Sequence, residues 1–349
     1  MRIALVHYSI PPVIGGVERI LAEQARLFRR QGHEVDFFVS AEHALMDYDV
    51  VLVHNVLTMP FDLPLTARLH ELIALPSKAR WINWVHDVAK VNPHYAHLPW
   101  HEPEMQRLHQ LPAKAKNVTV SEVRRQELAE AAGLSLESIL VIPNGIDTAA
   151  VLGLTQHTAQ LAEELQLWSK HLLLLHPTRL VRRKNIELAL QITAALKAQH
   201  VDVAYLVTGA PDPHNSDHRD YARELKEWCG ELGISDRVHF LGERGPLSEA
   251  DVRSLYALSD AVIFPSTAEG FGLPLLEGAL HGLRVFCSGI PAHLEVAVEA
   301  SFFSLTDSPA DIAQKIQSDP ITQHRRLRRT IHGTHDWSQL WPRFVQLFT

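Results

Sequence analysis

The chain opens with the apolar run Ile3–Val6 inside Arg2–His7. A Pro/Gly loop follows, and then Val17–Arg30, where Val17, Ile20, Leu21 and Leu27 recur at helical spacing. This pattern predicts a strand, a loop and a helix. Gly32 ends the helix, Glu34–Val39 alternates as a second strand, and Val50–Val53 is an unbroken apolar run suited to a strand buried on both faces. Trp81–Val85, Val118–Val120 and Ile139–Ile142 continue the series, with helical stretches such as Ser121–Ala132 between them. The alternation predicts a doubly wound α/β domain. The turn formers of Pro143–Asp147 interrupt it, and it restarts at Leu172–Leu175.

Beyond that point strands are expected at Val203–Val207, Val238–Leu241, Ala261–Phe264 and Arg284–Cys287. Helices are expected at Asn185–Gln199, Asp217–Leu232 and Leu273–Leu280. Ser308 reads as a helix cap with Pro309 in the first helical position, and Trp337–Phe348 is amphipathic. The expected organisation is two Rossmann-like domains, 1–147 and 148–334, facing a central cleft. A terminal helix at about 335–349 should pack back on the first domain. Ligands of such sheets bind at the carboxyl ends of strands, so the loops after strands are where chemistry is expected.

Composition narrows the function classes. With 349 residues, 46% hydrophobic and 21% charged, the chain has the makings of two globular domains and is neither disordered nor fibrous. Lys and Arg total 33 against 40 Asp and Glu, a net charge of -7, which argues against a nucleic-acid partner held by phosphate neutralisation. Cys229 and Cys287 make no disulfide framework or metal knuckle, so a reducing, cytoplasmic setting is expected. Ile3–Val6 is shorter than a signal-peptide core of about 7 to 15 residues, and no run approaches the roughly 18 that cross a bilayer. Membrane contact is expected to be peripheral at most, since the helix Val17–Arg30 carries only a short basic end, Arg26, Arg29 and Arg30.

The most informative motif runs from Pro265 to Glu277, a strand end leading through a Gly-containing loop into a helix. Glu269 sits on the loop and Glu277 eight residues on, just over one turn into the helix. Both carboxylates can accept hydrogen bonds from vicinal hydroxyls, and the loop amides of Gly270, Phe271, Gly272 and Leu273 open a helix N-terminus suited to an anion. Arg179 follows the Leu172–Leu175 strand and Lys184 precedes the next helix, offering fixed positive charge to a phosphate. Arg182 and Arg183, between them, read as a solvated basic turn. Gly15 and Gly16 follow the first strand and would let backbone approach a ligand, but G-x-G-x-x-G is lacking there, which disfavours a nicotinamide dehydrogenase.

Together these motifs resemble the retaining family 4 glycosyltransferases (glycosyltransferase group 1) of the GT-B fold. Glu269-Gly-Phe-Gly-Leu-Pro-Leu-Leu-Glu277 looks like their E-x7-E signature. Gly15–Arg19, Val141–Asp147 and His176–Leu190 agree in order and spacing. The resemblance implies that Glu269 holds donor-sugar hydroxyls, Glu277 the nucleotide ribose, and Arg179 with Lys184 the donor diphosphate. It places the Gly15-Gly16 loop beside the donor phosphates and the acceptor, and His86, after the Trp81–Val85 strand, on the donor sugar. The implied catalytic set is His86, Arg179, Lys184 and Glu269. The implied activity is retaining transfer of a hexosyl unit from a nucleoside-diphosphate sugar to a sugar, lipid-linked or small-molecule acceptor, without metal or other cofactor. A nucleotide-sugar epimerase on a similar fold, or a non-catalytic partner subunit, is the alternative.

Three features are set aside. Asp47-Tyr48-Asp49 spells a metal-binding D-x-D but leads into a strand. His94, His97 and His101 are broken from a common helical face by Pro93 and Pro99 and read as a polar loop. Ser121 reads as a helix cap. Departures from the family pattern fall at Ser288–His293, where it often has a Gly-Gly loop, and at the polar insertion Pro211–Arg219.

Overall fold

The computed structural model describes residues 1–209, 216–297, 300–319, 333 and 336–348. The chain divides into two compact units, Met1–Asp147 with Ile331–Thr349, and Thr148–Thr330.

The first unit carries a six-stranded sheet in the order β2-β1-β3-β4-β5-β6. Its strands are β1 (Arg2–Val6), β2 (Glu34–Phe38), β3 (Val50–His54), β4 (Arg80–Val85), β5 (Lys116–Thr119) and β6 (Ile139–Val141), all parallel. Every residue of β3 is buried, as its unbroken apolar run requires in a sheet covered on both faces. The helix Gly16–Arg30 packs Leu21, Ala25 and Phe28 against Ile3, Leu5 and Leu52. The terminal helix Trp337–Phe348 adds Leu340, Phe344 and Leu347 to the same core. Phe344 stacks on Trp84 at 5.3 Å between ring centroids and meets Phe28 edge-on at 5.1 Å. Gly145, in the turn cluster, is where the chain passes this helix: a Cβ there would lie 2.6 Å from the Trp337 ring.

The second unit repeats the plan with the order β12-β11-β10-β7-β8-β9. Here β7 is Leu172–His176, β8 Val203–Val207, β9 Val238–Phe240, β10 Ala261–Phe264, β11 Arg284–Ser288 and β12 Ser301–Phe303. β7, β8 and β10 are buried at every position. Strand order reverses between β7 and β10, the switch point outside which sheets of this kind bind their ligands.

The two doubly wound parallel sheets match the expected fold class. The helices Leu63–Ala74, Gln156–Glu164 and Glu249–Leu258 and the strand Ser301–Phe303 were not anticipated. Glu249–Leu258 is announced only by its capping box, in which Ser248 and Asp251 satisfy each other's backbone N–H. Ser308 caps Pro309–Ser318 and Ser121 caps Glu122–Ala132, as their positions suggested. Asp47-Tyr48-Asp49 is a strand entry, in which Asp49 accepts from the Arg2 amide at 2.8 Å. Of the insertion Pro211–Arg219, residues 211–215 lie outside the described residues, and Ser216 opens the helix Ser216–Glu231. No helix of the described residues is long and apolar enough to cross a membrane.

Candidate active site

Two loops leave the second sheet at its switch point and are laced together. The loop after β7 carries Arg179 to Asn185, and the loop after β10 carries Pro265 to Gly272. The Thr267 amide donates to the Arg183 carbonyl at 2.8 Å, and the Asn185 side-chain amide donates to the Pro265 carbonyl at 3.1 Å. Asn185 takes up the left-handed backbone (φ 51°) to turn from the short 3-10 segment Arg182–Lys184 into the helix Ile186–Ala198. Gly209, just after β8, packs so closely on Thr178 and Arg179 that a Cβ would collide with their backbone. A neighbouring strand end thereby sets the seat of Arg179.

This lacing brings Glu269 and Lys184 into an ion pair whose side chains are 7% and 11% exposed respectively. The other Glu269 oxygen accepts from Arg183 at 2.9 Å, and Ser266 donates to the Lys184-bound oxygen at 2.7 Å. Arg183 therefore departs from the expected solvated turn: it also donates to the Ala268 carbonyl at 3.0 Å and fixes the loop that carries Glu269. Arg182 faces away, bonded to Glu224 at 2.7 Å and lying over the Tyr221 ring. Lys184 Nζ sits 4.5 Å from the centroid of the Phe264 ring, a cation–π contact that defines its position. Arg179 is exposed beside this cluster.

The electrostatics are those of a preorganised charged site. Burial opposes the charge on Glu269, yet hydrogen bonds from Lys184, Ser266 and Arg183 outweigh it together and hold the carboxyl below its ordinary range. Lys184 is pulled the other way: burial, with Arg183 and Arg179 nearby, outweighs the attraction of Glu269 and lowers it. The two directions fit a cluster with more cations than anions. Such a site attracts a further negative group.

Glu277 lies on the helix Leu273–Leu280 and is exposed. Tyr256 donates to its carboxylate at 2.6 Å, and the Tyr256 ring stacks on His281 at 5.1 Å. Burial and then the Glu277 contact raise the Tyr256 hydroxyl, so it stays a donor. One Glu277 oxygen is steadied by the protein. Gly272 caps this helix at φ 100°, a left-handed conformation costly for any residue with a side chain, whereas Gly270 faces open space. Phe271 and Leu273, on either side of that cap, are exposed. In place of a Gly-Gly loop, Ser288 ends β11 and His293 is buried in the helix Pro291–Val296, its Nδ1 donating to the Ser288 carbonyl at 2.9 Å.

The first unit places His7, His54 and His86 at the carboxyl ends of the adjacent strands β1, β3 and β4. Asn55, left-handed at φ 61°, accepts from the amides of His86 (2.7 Å) and Asp87 (3.1 Å) through one side-chain oxygen. The expected open glycine loop differs in one respect. The Glu18 carboxylate folds back over Gly15, where a Cβ would collide with it, and it accepts from Ser9. The N-terminus of the helix Gly16–Arg30 thus carries an anion of its own, and only Gly16 has open space around it. His94, His97 and His101 are exposed on the loop region after β4, and no group of three or more potential metal ligands occurs among the described residues.

Arg183, Ser266, Tyr256, Gly209 and His54 are contributions that the sequence reading missed. Ser266 stands three residues before Glu269 and is a local signal; the others act across strands.

Residues 159–325 match the family model described as glycosyl transferases group 1. The chain is 25% identical over 286 residues to the mannosylglucosylglycerate synthase of Thermotoga maritima, covering 75% of this chain and 62% of that protein. It is 24% identical over 334 residues to an uncharacterized glycosyltransferase of Methanocaldococcus jannaschii, covering 85% and 82%. The chain spans about 60% of the length of the first curated relatives, 62% and 58%. Among solved structures, the Anabaena protein HepE in complex with UDP and glucose aligns over 99% of this chain and 98% of its own, at 18% identity and a TM-score of 0.40. The segment 159–325, which matches the glycosyl transferases group 1 model, holds both laced loops and both glutamates.

Proposed function

We propose that the chain is a retaining glycosyltransferase that moves a sugar from a nucleoside-diphosphate donor to an acceptor hydroxyl. The observation that carries this reading is the cluster at the β7/β10 switch point. Buried Glu269 is held ionised by Lys184, Arg183 and Ser266, and exposed Arg179 stands beside it. A diphosphate brought to Arg179 and Lys184 meets charge already in place, so stabilising the phosphate that leaves requires little reorganisation. Glu277, steadied by Tyr256, accepts from the ribose hydroxyls, while Glu269 contacts the sugar. The leaving phosphate takes the proton of the incoming hydroxyl on the same face of the ring. The protein contributes orientation and fixed charge, with no covalent nucleophile.

In this reading metal and other cofactors play no part, so EDTA leaves the rate unchanged. The sugar, the base and the acceptor are fixed by experiment. Calorimetric titration with UDP, GDP, ADP and NAD is the first test. Selective binding of one nucleoside diphosphate supports the reading and directs the acceptor search. Binding of NAD alone overturns it, and sugar interconversion without an acceptor would assign an epimerase instead.

A further inference from the structure

The three histidines of the first unit form a contact chain that the proposed reaction does not require. His7 Nδ1 donates to the His54 carbonyl at 2.8 Å, tying β1 to β3. His54 Nδ1 lies 3.1 Å from His86 Nε2, and the two rings stack at 5.4 Å and 27°. On its other side His54 stacks on Trp84 at 5.7 Å. His54 is fully buried, and its Nε2 has no hydrogen-bond partner among the described residues.

Burial keeps both rings neutral at neutral pH. It lowers His54 well below its ordinary value and, with His7 adding, lowers His86 to about 3. Each neutral ring carries one N–H, and the 3.1 Å contact needs a proton from one side. If His86 Nε2 donated, the proton of His54 would sit on Nε2, a buried N–H with nothing to accept it. If His54 Nδ1 donates, His54 Nε2 is a bare acceptor against apolar surroundings. Orphaned buried N–H groups are rarer than under-satisfied acceptors, so the second arrangement wins.

We propose that His54 is a positioning residue: its Nδ1–H donates to His86 Nε2 and fixes His86 in the tautomer protonated on Nδ1. Resting on the reading of His86 as a sugar contact, this makes His86 a hydrogen-bond donor to a substrate oxygen. It is not a base. Asn55, which grips the His86 and Asp87 amides, holds the backbone while His54 holds the ring.

The test is long-range proton–nitrogen correlation spectroscopy of the whole chain labelled with nitrogen-15 histidine, near neutral pH. His86 is assigned by the signals lost in His86→Gln. In the wild type His86 is expected with a protonated Nδ1 and a bare Nε2. His54→Phe keeps a ring on Trp84 without the N–H and should invert the His86 tautomer ratio. His54→Asn, whose amide N–H falls near the imidazole Nδ1–H, should restore it. A wild-type His86 protonated on Nε2 overturns the proposal, as does a tautomer that does not respond to His54→Phe. If the Phe variant does not fold, the wild-type tautomer decides alone. The spectra need no donor or acceptor, so nucleotide titration can fail while the tautomer assignment stands, and the reverse.

Discussion

Lys184 and Glu277 have different structural duties, and their removal should separate chemistry from folding. Lys184 is one of several groups on Glu269, so Lys184→Ala leaves Arg183 and Ser266 in place and the loop tethered. It should lower transfer by about 10²-fold, the scale of removing one preorganised charge-stabilising group, with an unchanged circular dichroism spectrum. Glu277→Ala removes an exposed carboxylate and should raise the nucleotide Kd at least about tenfold, a loss of roughly 1.4 kcal/mol, with little change in stability. Near wild-type rates in both variants would remove the site assignment. The carboxylates and basic residues were readable from spacing. That Arg183 belongs with Glu269 was not, because residues 86 apart meet only when two loops of one sheet are laced together.

At the scale of elements, two contacts decide whether the site and the first core assemble. Gly209→Ala puts a methyl group into the backbone of Thr178 and Arg179, so the β8 end and the β7 loop must move apart. The expected result is weakened nucleoside-diphosphate binding, read by calorimetry, with the Lys184–Glu269 cluster shifted. Undiminished binding would show that the Arg179 loop tolerates displacement. Phe344, fully buried between Trp84 and Phe28, anchors the terminal helix to the first sheet. Phe344→Ala should cost about 3 to 5 kcal/mol of stability in the first unit, measured by urea denaturation, because the cavity has rigid walls. The amphipathic pattern announced this helix; its partner face was not in the pattern.

For the whole molecule, buried histidines set the acid limit of stability. His86 in the first unit and His176 in the second are each lowered to about 3, by burial first and then by His7 and Lys184 respectively. Their unfolded value is near 6.5. The unfolded chain therefore binds more protons between those values. Stability is complete above about pH 6.5 and falls as pH drops toward 3, at about 1.4 kcal/mol per pH unit for each group. Glu269 and Asp251, both lowered, contribute in the same sense only below the ordinary carboxylate range, so the histidines act first. Urea midpoints measured from about pH 7.5 to 4.5 should hold level down to about pH 6.5 and fall continuously below it. A flat profile over that window would contradict the neutral burial of these rings.

The sequence by itself determined the repeating strand and helix plan, the break at Pro143–Asp147, and the carriers of charge at Arg179, Lys184, Glu269 and Glu277. Those features are local: apolar periodicity, turn residues and a carboxylate spacing of one loop and one helical turn act within about a dozen residues. Only the tertiary structure decided which strands are neighbours, and that set the chemistry of the sites. Placing β7 beside β10 brought Arg183 and Lys184 onto Glu269, and placing β3 between β1 and β4 put His54 against His86. The physical reason is that parallel strands side by side are joined through long crossovers, so residues that meet at their ends are far apart in the chain and leave no periodic trace.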